Sequence, residues 1–380
     1  MRGHVRKRGN KWSVVVYLGY DENGRKRYKW HGGFATKREA ERFLASLVEK
    51  IHDGTYVEPT KETVGSYFSR WLEDKQSELR YNTLKKYRWL TSHYVVPNLG
   101  KVPLADLQPR HLQSLYTSLR TGRNGKRLSD RSILHLHVMI HGALERAVRW
   151  GLVSRNVAEL VDPPRVREKE MQVWSVDEVQ RFLEAAREYR YYMVFLLAIT
   201  TGMRKAEICG LKWEDIDLDT GHITVRRSLV YVQGEPRFEE LKTAKSRRVV
   251  SIPPEVVAEL RRHRAQQAQE KLLMGAAYQD HGLVNCRADG RPIYYRTLDN
   301  QWLKAQEQAG VRRIRFHDLR HTHASLLFEQ GVPLKLISER LGHARSSITL
   351  DIYTHVRQEQ HDDVARTFGT LLFGSERGAK

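Results

Sequence analysis

Six polar residues in the second half of the chain, Arg204, Lys242, His317, Arg320, His343 and Tyr353, have side chains suited to a single chemistry. Two guanidiniums, an ammonium, two imidazoles and a phenol together fit attack on a DNA phosphodiester by a tyrosine, without a metal ion. A phosphodiester is an anion, and charge accumulates on its oxygens as a fifth oxygen approaches, so the site needs preorganised cations. Arginine serves best, because it stays charged and its fork matches two phosphate oxygens. A phenol has a pKa near ~10, and nearby cations with a histidine base can ready its oxygen for attack.

The local contexts narrow the roles. Arg204 lies in Thr-Gly-Met-Arg-Lys-Ala-Glu-Ile, at an expected helix start where free backbone N–H groups also favour an anion. Glu207 follows one turn later. Lys242 falls where strands should turn, in Leu-Lys-Thr-Ala-Lys-Ser-Arg-Arg. Lys245 is its rival, and Lys245, Arg247 and Arg248 are expected to touch backbone phosphates. His317 and Arg320 are three apart, so one helical face carries both. His317 and His321 have the spacing of a zinc pair, but no glutamate base adjoins, there is no cysteine cluster, and Arg320 would repel the ion. Asp215, Asp217 and Asp219 alternate and read as a turn leading into a strand, not as a magnesium-binding carboxylate cluster. Tyr353, in Leu-Asp-Ile-Tyr-Thr-His-Val, is one of 17 tyrosines; Tyr191, Tyr192, Tyr294 and Tyr295 lack such a context.

Residues so far apart need a large fold to position them. Residues 166–380 read as two helices, a small strand cluster over 222–252, and helices to the end, with Ser175-Val-Asp-Glu178 as a capping box at the start. Val161 to Glu170 holds two prolines and alternating charges and cannot form a packed element. Ahead of it, residues 59–165 read as helical, with helices near 63–78, 83–94, 109–120 and 129–150. Lys85, Lys86 and Arg88 lie off the apolar side of the second helix, and Arg123, Lys126, Arg127 and Arg131 cluster before the fourth. Residues 1–58 read as a hairpin turning at Asn23-Gly24, then a helix opened by Thr36-Lys-Arg-Glu39. Its strands present Arg25, Lys26, Arg27 and Lys29, and a basic antiparallel sheet can lie in a DNA groove. The fold class expected is mainly α with small β-sheets, in several domains. The tail from Val364 to Phe373 is apolar at near-helical spacing, open to packing on its own domain or on a neighbouring protomer.

Composition agrees with this chemistry. The chain has 380 residues and a net charge of +20, which makes nucleic acid the leading partner. Residues 1–58 carry 13 Lys and Arg against 7 Asp and Glu, and residues 59–168 carry 19 against 10. The first 168 residues therefore hold most of the excess charge. Two cysteines, Cys209 and Cys286, suggest no disulfide framework and a reducing cytoplasm. The longest apolar run, Met193 to Ile199, is too short to span a bilayer.

The order and contexts of the six residues resemble the tyrosine recombinase (phage integrase) family, and the resemblance extends over nearly the whole chain. It implies that Arg204 and Arg320 clamp the scissile phosphate, that Glu207 orients Arg204, and that Lys242 protonates the departing 5′ oxygen. It implies proton transfer or phosphate orientation for His317, hydrogen-bond donation for His343, and nucleophilic attack for Tyr353 through a 3′-phosphotyrosine. Residues 1–58 would be an arm-type DNA-binding domain, 59–165 a core-binding domain and 166–380 the catalytic domain. The expected function is site-specific recombination through a Holliday junction, integrating or excising a phage or other mobile element. Expected partners are double-stranded attachment sites, a homo-tetramer on DNA, a host DNA-bending protein and an excision factor, with no cofactor and no membrane. A type IB topoisomerase-like enzyme and a catalytically silent DNA-binding regulator are the alternatives.

Overall fold

The computed structural model describes residues 3–20, 23–52, 61–122, 127–166, 171–241 and 247–342. It divides into two compact units, Met1–Glu168 and Lys169–Lys380. The fold is mainly helical with small antiparallel sheets. Among the described residues no helix is long and apolar enough to cross a membrane.

The first unit contains two separate cores. Strands β1 (Gly3–Arg8), β2 (Lys11–Tyr20) and β3 (Lys26–Phe34) form an antiparallel sheet in the order β1-β2-β3. Helix α1 (Lys37–His52) packs Ala40 and Leu47 against Val14 and Val16 of β2. Strand β1 is not anticipated by the sequence reading: Gly-His-Val-Arg-Lys-Arg is too polar to look like a strand, and its pairing with β2 is tertiary.

Alternation in β3 separates residues that are adjacent in sequence. Lys29 pairs with Val16 and His31 with Val14, so both stand on the α1 side. Tyr28 pairs with Tyr17 and Trp30 with Val15, on the opposite face, and Lys26 has the same parity as these two. Arg25 precedes the strand. The four basic residues Arg25, Lys26, Arg27 and Lys29 are therefore divided, and aromatic rings dominate the open face, where Tyr28 is 53% and Trp30 49% exposed.

The second core belongs to a helical domain. Helix α2 (Val64–Asp74) starts at a capping box in which Thr63 and Ser66 bond each other's backbone N–H. Its Tyr67, Phe68 and Trp71 are buried with Leu112 and Leu115 of α5 (Pro109–Thr121) and Leu136, Ile140 and Leu144 of α6 (Asp130–Arg149). Helix α3 (Tyr81–Leu90) runs on through a π turn over Thr91–Val95 into α4 (Val96–Leu99), further than the apolar spacing indicates. Pro97, which has no N–H to donate, lies just after the π turn, at the start of α4.

In the second unit, α7 (Val176–Ala186), α8 (Tyr192–Thr201) and α11 (Tyr295–Ala309) enclose an aromatic core of Trp174, Phe182, Phe195, Trp302 and Phe316. Helix α8 is buried along Met193 to Ile199, as expected of a helix that is apolar all round. Helix α9 (Lys205–Cys209) follows. Strands β4 (Ile216–Asp217), β5 (His222–Val225) and β8 (Arg248–Ser251) form one sheet, and β6 (Arg227–Val232) with β7 (Glu235–Glu240) forms a hairpin. Gln233 and Gly234 both have positive φ, 56° and 91°, as a two-residue type I′ turn requires. Helices α10 (Pro254–Met274), α12 (Asp318–Glu329) and α13 (Leu334–Leu341) complete the described unit.

Candidate active site

The site is built where two helices end. Helix α8 stops at Gly202, whose φ of 64° is left-handed. A Cβ there would stand 2.5 Å from Leu341 Cδ2 and 2.7 Å from His323 Cδ2, so only glycine fits. Helix α13 stops at Gly342, also left-handed with φ 67°. The last carbonyls of any α-helix lack helical partners and carry partial negative charge. Here arginine and histidine side chains take them. Ile199 O accepts from His323 Nδ1 at 2.8 Å, Thr200 O from Arg340 Nη2 at 3.0 Å and Gly202 O from Arg320 Nη1 at 2.8 Å. At the end of α13, Arg340 O accepts from Arg248 Nε at 2.7 Å, Leu341 O from Arg320 Nη2 at 2.7 Å and Gly342 O from Arg204 Nη2 at 3.4 Å.

Two helix ends thus hold four guanidiniums close together before any anionic substrate arrives. The carboxylate bonded into this cluster is Glu207, which is 2% exposed. It accepts from Arg204 Nη1 at 2.7 Å, Arg204 N at 3.0 Å and Arg248 Nη2 at 3.0 Å. Burial alone pushes its pKa up, but Arg248, then the Arg204 N–H and guanidinium, outweigh burial and bring it below the usual carboxylate value. The Arg204 N–H is committed to Glu207, so the start of α9 is not the open anion site expected from Thr-Gly-Met-Arg.

Arg320 is 3% exposed. Burial, then repulsion from Arg204 and Arg248, pull its pKa down to about 9. It is still charged at neutral pH, but its charge is poorly compensated, which favours an incoming anion. Arg204 is the more open of the two, half-buried at the rim.

His317 is the residue just before α12, open to solvent, with Asp318 after it held by Arg315 at 2.7 Å. Surrounding protein, then Arg320, lower its pKa from the ordinary value, so it is neutral at pH 7. The His317 and His321 rings meet edge to face at 5.3 Å. Among the described residues no group of three or more His, Cys, Asp or Glu is placed to hold a metal ion. Burial and His317 push His321 down to about 4.

The structure brings Arg204, Glu207 and Arg320 together, with His317 within reach of the charges of Arg320 and Arg204. Lys242, Lys245, His343 and Tyr353 lie outside the described residues, as do Arg123, Lys126 and the tail. Arg248 departs from the sequence expectation: its side chain is 6% exposed and points inward to Glu207 rather than outward to a backbone phosphate. The strand pattern explains this, because β8 alternates and Arg248 faces the helix ends while Val249 is exposed. Arg247 is exposed and pairs with Glu240. In the helical domain Lys85, Lys86, Arg88, Arg127 and Arg131 are exposed. Lys86 and Arg131 both act on His135, lowering its pKa after burial does. Arg340 is absent from the sequence reading, and its place just before Leu-Gly-His was the available signal.

Arginines clustered at the ends of two helices, with a histidine beside them, make an arrangement able to hold an anion. Comparison with known proteins identifies the class. The phage integrase family matches residues 172–360, an arm DNA-binding domain matches 4–51, and the N-terminal SAM-like domain of phage integrases matches 63–120. The chain is 32% identical to a XerC-like tyrosine recombinase of Caldanaerobacter subterraneus, covering 95% of this chain and 96% of that protein. It is 28% identical to an integrase of Streptomyces ambofaciens (92% and 90% covered) and 23% identical to the ICEBs1 integrase of Bacillus subtilis (95% and 97%). Its fold is similar to that of the Tn1549 transposon integrase in complex with transposon right end DNA, with TM-score 0.66 at 19% identity over 82% of this chain and 99% of that one. It is also similar to lambda integrase bound as a dimer to a COC′ core site, with TM-score 0.57 at 16% identity over 94% and 96%. The chain belongs to the tyrosine recombinase (phage integrase) family, whose members cleave and rejoin DNA strands.

Proposed function

We propose that this protein is the integrase of a mobile element, a site-specific recombinase that works through a 3′-phosphotyrosine on Tyr353 and a Holliday junction. The observation that carries this reading is the excess of buried guanidinium over carboxylate at the ends of α8 and α13, a charge imbalance that a phosphodiester would correct. Arg204 and Arg320 bind the two non-bridging oxygens. Glu207 holds the Arg204 fork in place and takes no proton. The Tyr353 oxygen bonds to phosphorus as its proton passes to a base, and neutral His317 is available for that. The bond to the 5′ oxygen breaks, and Lys242 supplies the proton that oxygen needs; His343 donates a hydrogen bond to the phosphate. Because the phosphotyrosine conserves the bond energy, a 5′-hydroxyl from another strand can reverse the steps without ATP.

Residues 1–58 act as the arm-binding domain, 59–165 as the core-binding domain and 166–380 as the catalytic domain. The matched segments 4–51, 63–120 and 172–360 fall inside these limits. Four protomers hold two attachment sites. A lambda integrase tetramer on a Holliday junction has a similar fold, with TM-score 0.56 and 17% identity, which supports this assembly. A host DNA-bending protein and an excision factor complete the reaction.

The test uses labelled duplex from the DNA flanking the protein's own gene, nicked near the crossover to trap cleavage, incubated in EDTA with wild type and Tyr353→Phe. A covalent adduct on a denaturing gel with wild type alone is the expected result. Adduct with both proteins would overturn the assignment of the nucleophile, and supercoil relaxation without strand exchange would favour a topoisomerase-like enzyme.

A further inference from the structure

One side chain at the two helix ends has no part in the phosphate chemistry described above, yet it bonds three separate elements. Arg340 directs Nε to His323 Nε2 of α12 at 3.1 Å, and Nη2 to Thr200 O of α8 and Ser251 O of β8, both at 3.0 Å. Its own carbonyl accepts from Arg248. The fork donates from two separated nitrogens held in one plane, whereas all three donors of a lysine radiate from a single nitrogen.

His323 makes the arrangement specific. Ile199 O is an acceptor, so Nδ1 carries the proton; Arg340 Nε–H is a donor, so Nε2 must offer a lone pair. Only one neutral tautomer meets both needs. The charged groups facing the ring are Arg340 from α13 and Arg320 from its own helix, while α8 contributes backbone carbonyl. Burial and then Arg340 hold its pKa down to about 4, so the tautomer persists at neutral pH. The ring also lies against Gly202, the residue whose carbonyl receives Arg320.

We propose that Arg340 is a positioning residue for strand cleavage: with the His323 imidazole as acceptor, it pins the end of α13 to the end of α8. In doing so it sets where the guanidiniums of Arg204, Arg248 and Arg320 stand, since each bonds one of the carbonyls of residues 340–342. The proposal rests on the reading of this site as the cleavage centre. A misplacement of about 1 Å at such a site costs about 10²-fold in rate.

The experiment measures single-turnover adduct formation on the nicked duplex, DNA affinity by gel shift and thermal unfolding, for the full chain. The variants are Arg340→Lys, His323→Gln, His323→Phe and the double variant His323→Phe/Arg340→Lys. Arg340→Lys should slow cleavage about 30- to 100-fold while DNA affinity changes by no more than about threefold. His323→Gln keeps an acceptor near the place of Nε2 and should cleave within a few-fold of wild type, whereas His323→Phe should be as slow as Arg340→Lys. The double variant should be no slower than the slower single one, because both remove one latch. Wild-type cleavage by Arg340→Lys would overturn the proposal, as would rate, affinity and melting falling together, or single effects that multiply. A wild type that forms no adduct would overturn the Tyr353 reading and this role with it; an active wild type beside an equally active Arg340→Lys overturns this role alone.

Discussion

The arginine cluster at the ends of α8 and α13 and the three-stranded sheet at the start of the chain are both rich in basic residues, but they treat charge in opposite ways. In the cluster, each guanidinium bonds a helix-end carbonyl, and Arg204 and Arg248 also share Glu207. Their positions are over-determined, and the charges of Arg320 and Arg248 are shielded from water. On the sheet, Lys26 is exposed in a strand whose open face carries Tyr28 and Trp30. Charge there is screened by salt within about 10 Å at ordinary ionic strength. Geometry matters in the first region and the sum of charges in the second. A phosphate being cleaved needs fixed donors, while a DNA backbone being held needs mainly neutralisation.

The largest expected effect is the test of fixed geometry. Arg320→Ala and Arg204→Ala should each lower adduct formation by about 10²- to 10³-fold or more. DNA affinity should change little, because basic residues elsewhere in the chain supply it. Cleavage and gel-shift measurements on the same duplex separate the two effects. Cleavage near the wild-type rate in either variant would erase the contrast between the regions.

Glu207→Gln comes next. It removes the negative partner of the buried Arg248 and half-buried Arg204, and losing one member of a buried ion pair costs about 3–5 kcal/mol. Urea unfolding at pH 7 reads this directly. The sign with pH follows from the lowered carboxyl pKa: Glu207 stabilises the fold above the ordinary value of 4.5, and this is lost as pH falls through the lower folded value. His323 acts in the same direction over a higher window. Unfolded, it binds a proton below its ordinary value of 6.5; folded, it stays neutral to about 4. Stability therefore falls as pH drops from 6.5 towards 4, and His323→Gln should flatten that part of the curve. An unchanged curve would mean that His323 is not held neutral.

How much of this was legible in the sequence differs between the same two regions. Thr-Gly-Met-Arg204, Glu207 one turn later and the His317–Arg320 pair were legible through their resemblance to the family's motifs, with helical spacing adding only that His317 and Arg320 share a face. The inward turn of Arg248 could not, since whether a strand residue faces a helix end or solvent depends on what packs beside the sheet. Arg340 was hidden for a related reason: its partners, Thr200, Ser251 and His323, are distant in sequence, and two of the three bonds go to backbone carbonyls. Strand β1 has no apolar pattern, and only its pairing with β2 makes it a strand. In β3 the basic run was visible but its division between two faces follows from register.

Deleting residues 1–52 tests the sheet as a unit. Binding at outlying arm sites should weaken, and the dependence of affinity on salt should become shallower by about 0.9 for each phosphate no longer neutralised. Cleavage of the nicked core duplex should persist. Equal weakening at core and arm sites would mean that the sheet does not bind DNA independently.

The smallest effects divide the open face of the sheet residue by residue. Lys26→Ala should reduce the salt slope by about 1, as expected for one neutralised phosphate. Trp30→Ala should leave the slope unchanged and weaken binding by removing apolar surface from the interface, because an aromatic ring releases no counterion. Affinities measured at several salt concentrations distinguish the two variants, since one changes the slope and the other only the intercept. Lys29→Ala is the internal control: Lys29 pairs with Val16 on the α1 side, so it should alter the slope less than Lys26→Ala does. If Lys29→Ala has the larger effect, the DNA meets the sheet from its other face or edge, and the aromatic residues on the open face have a different use.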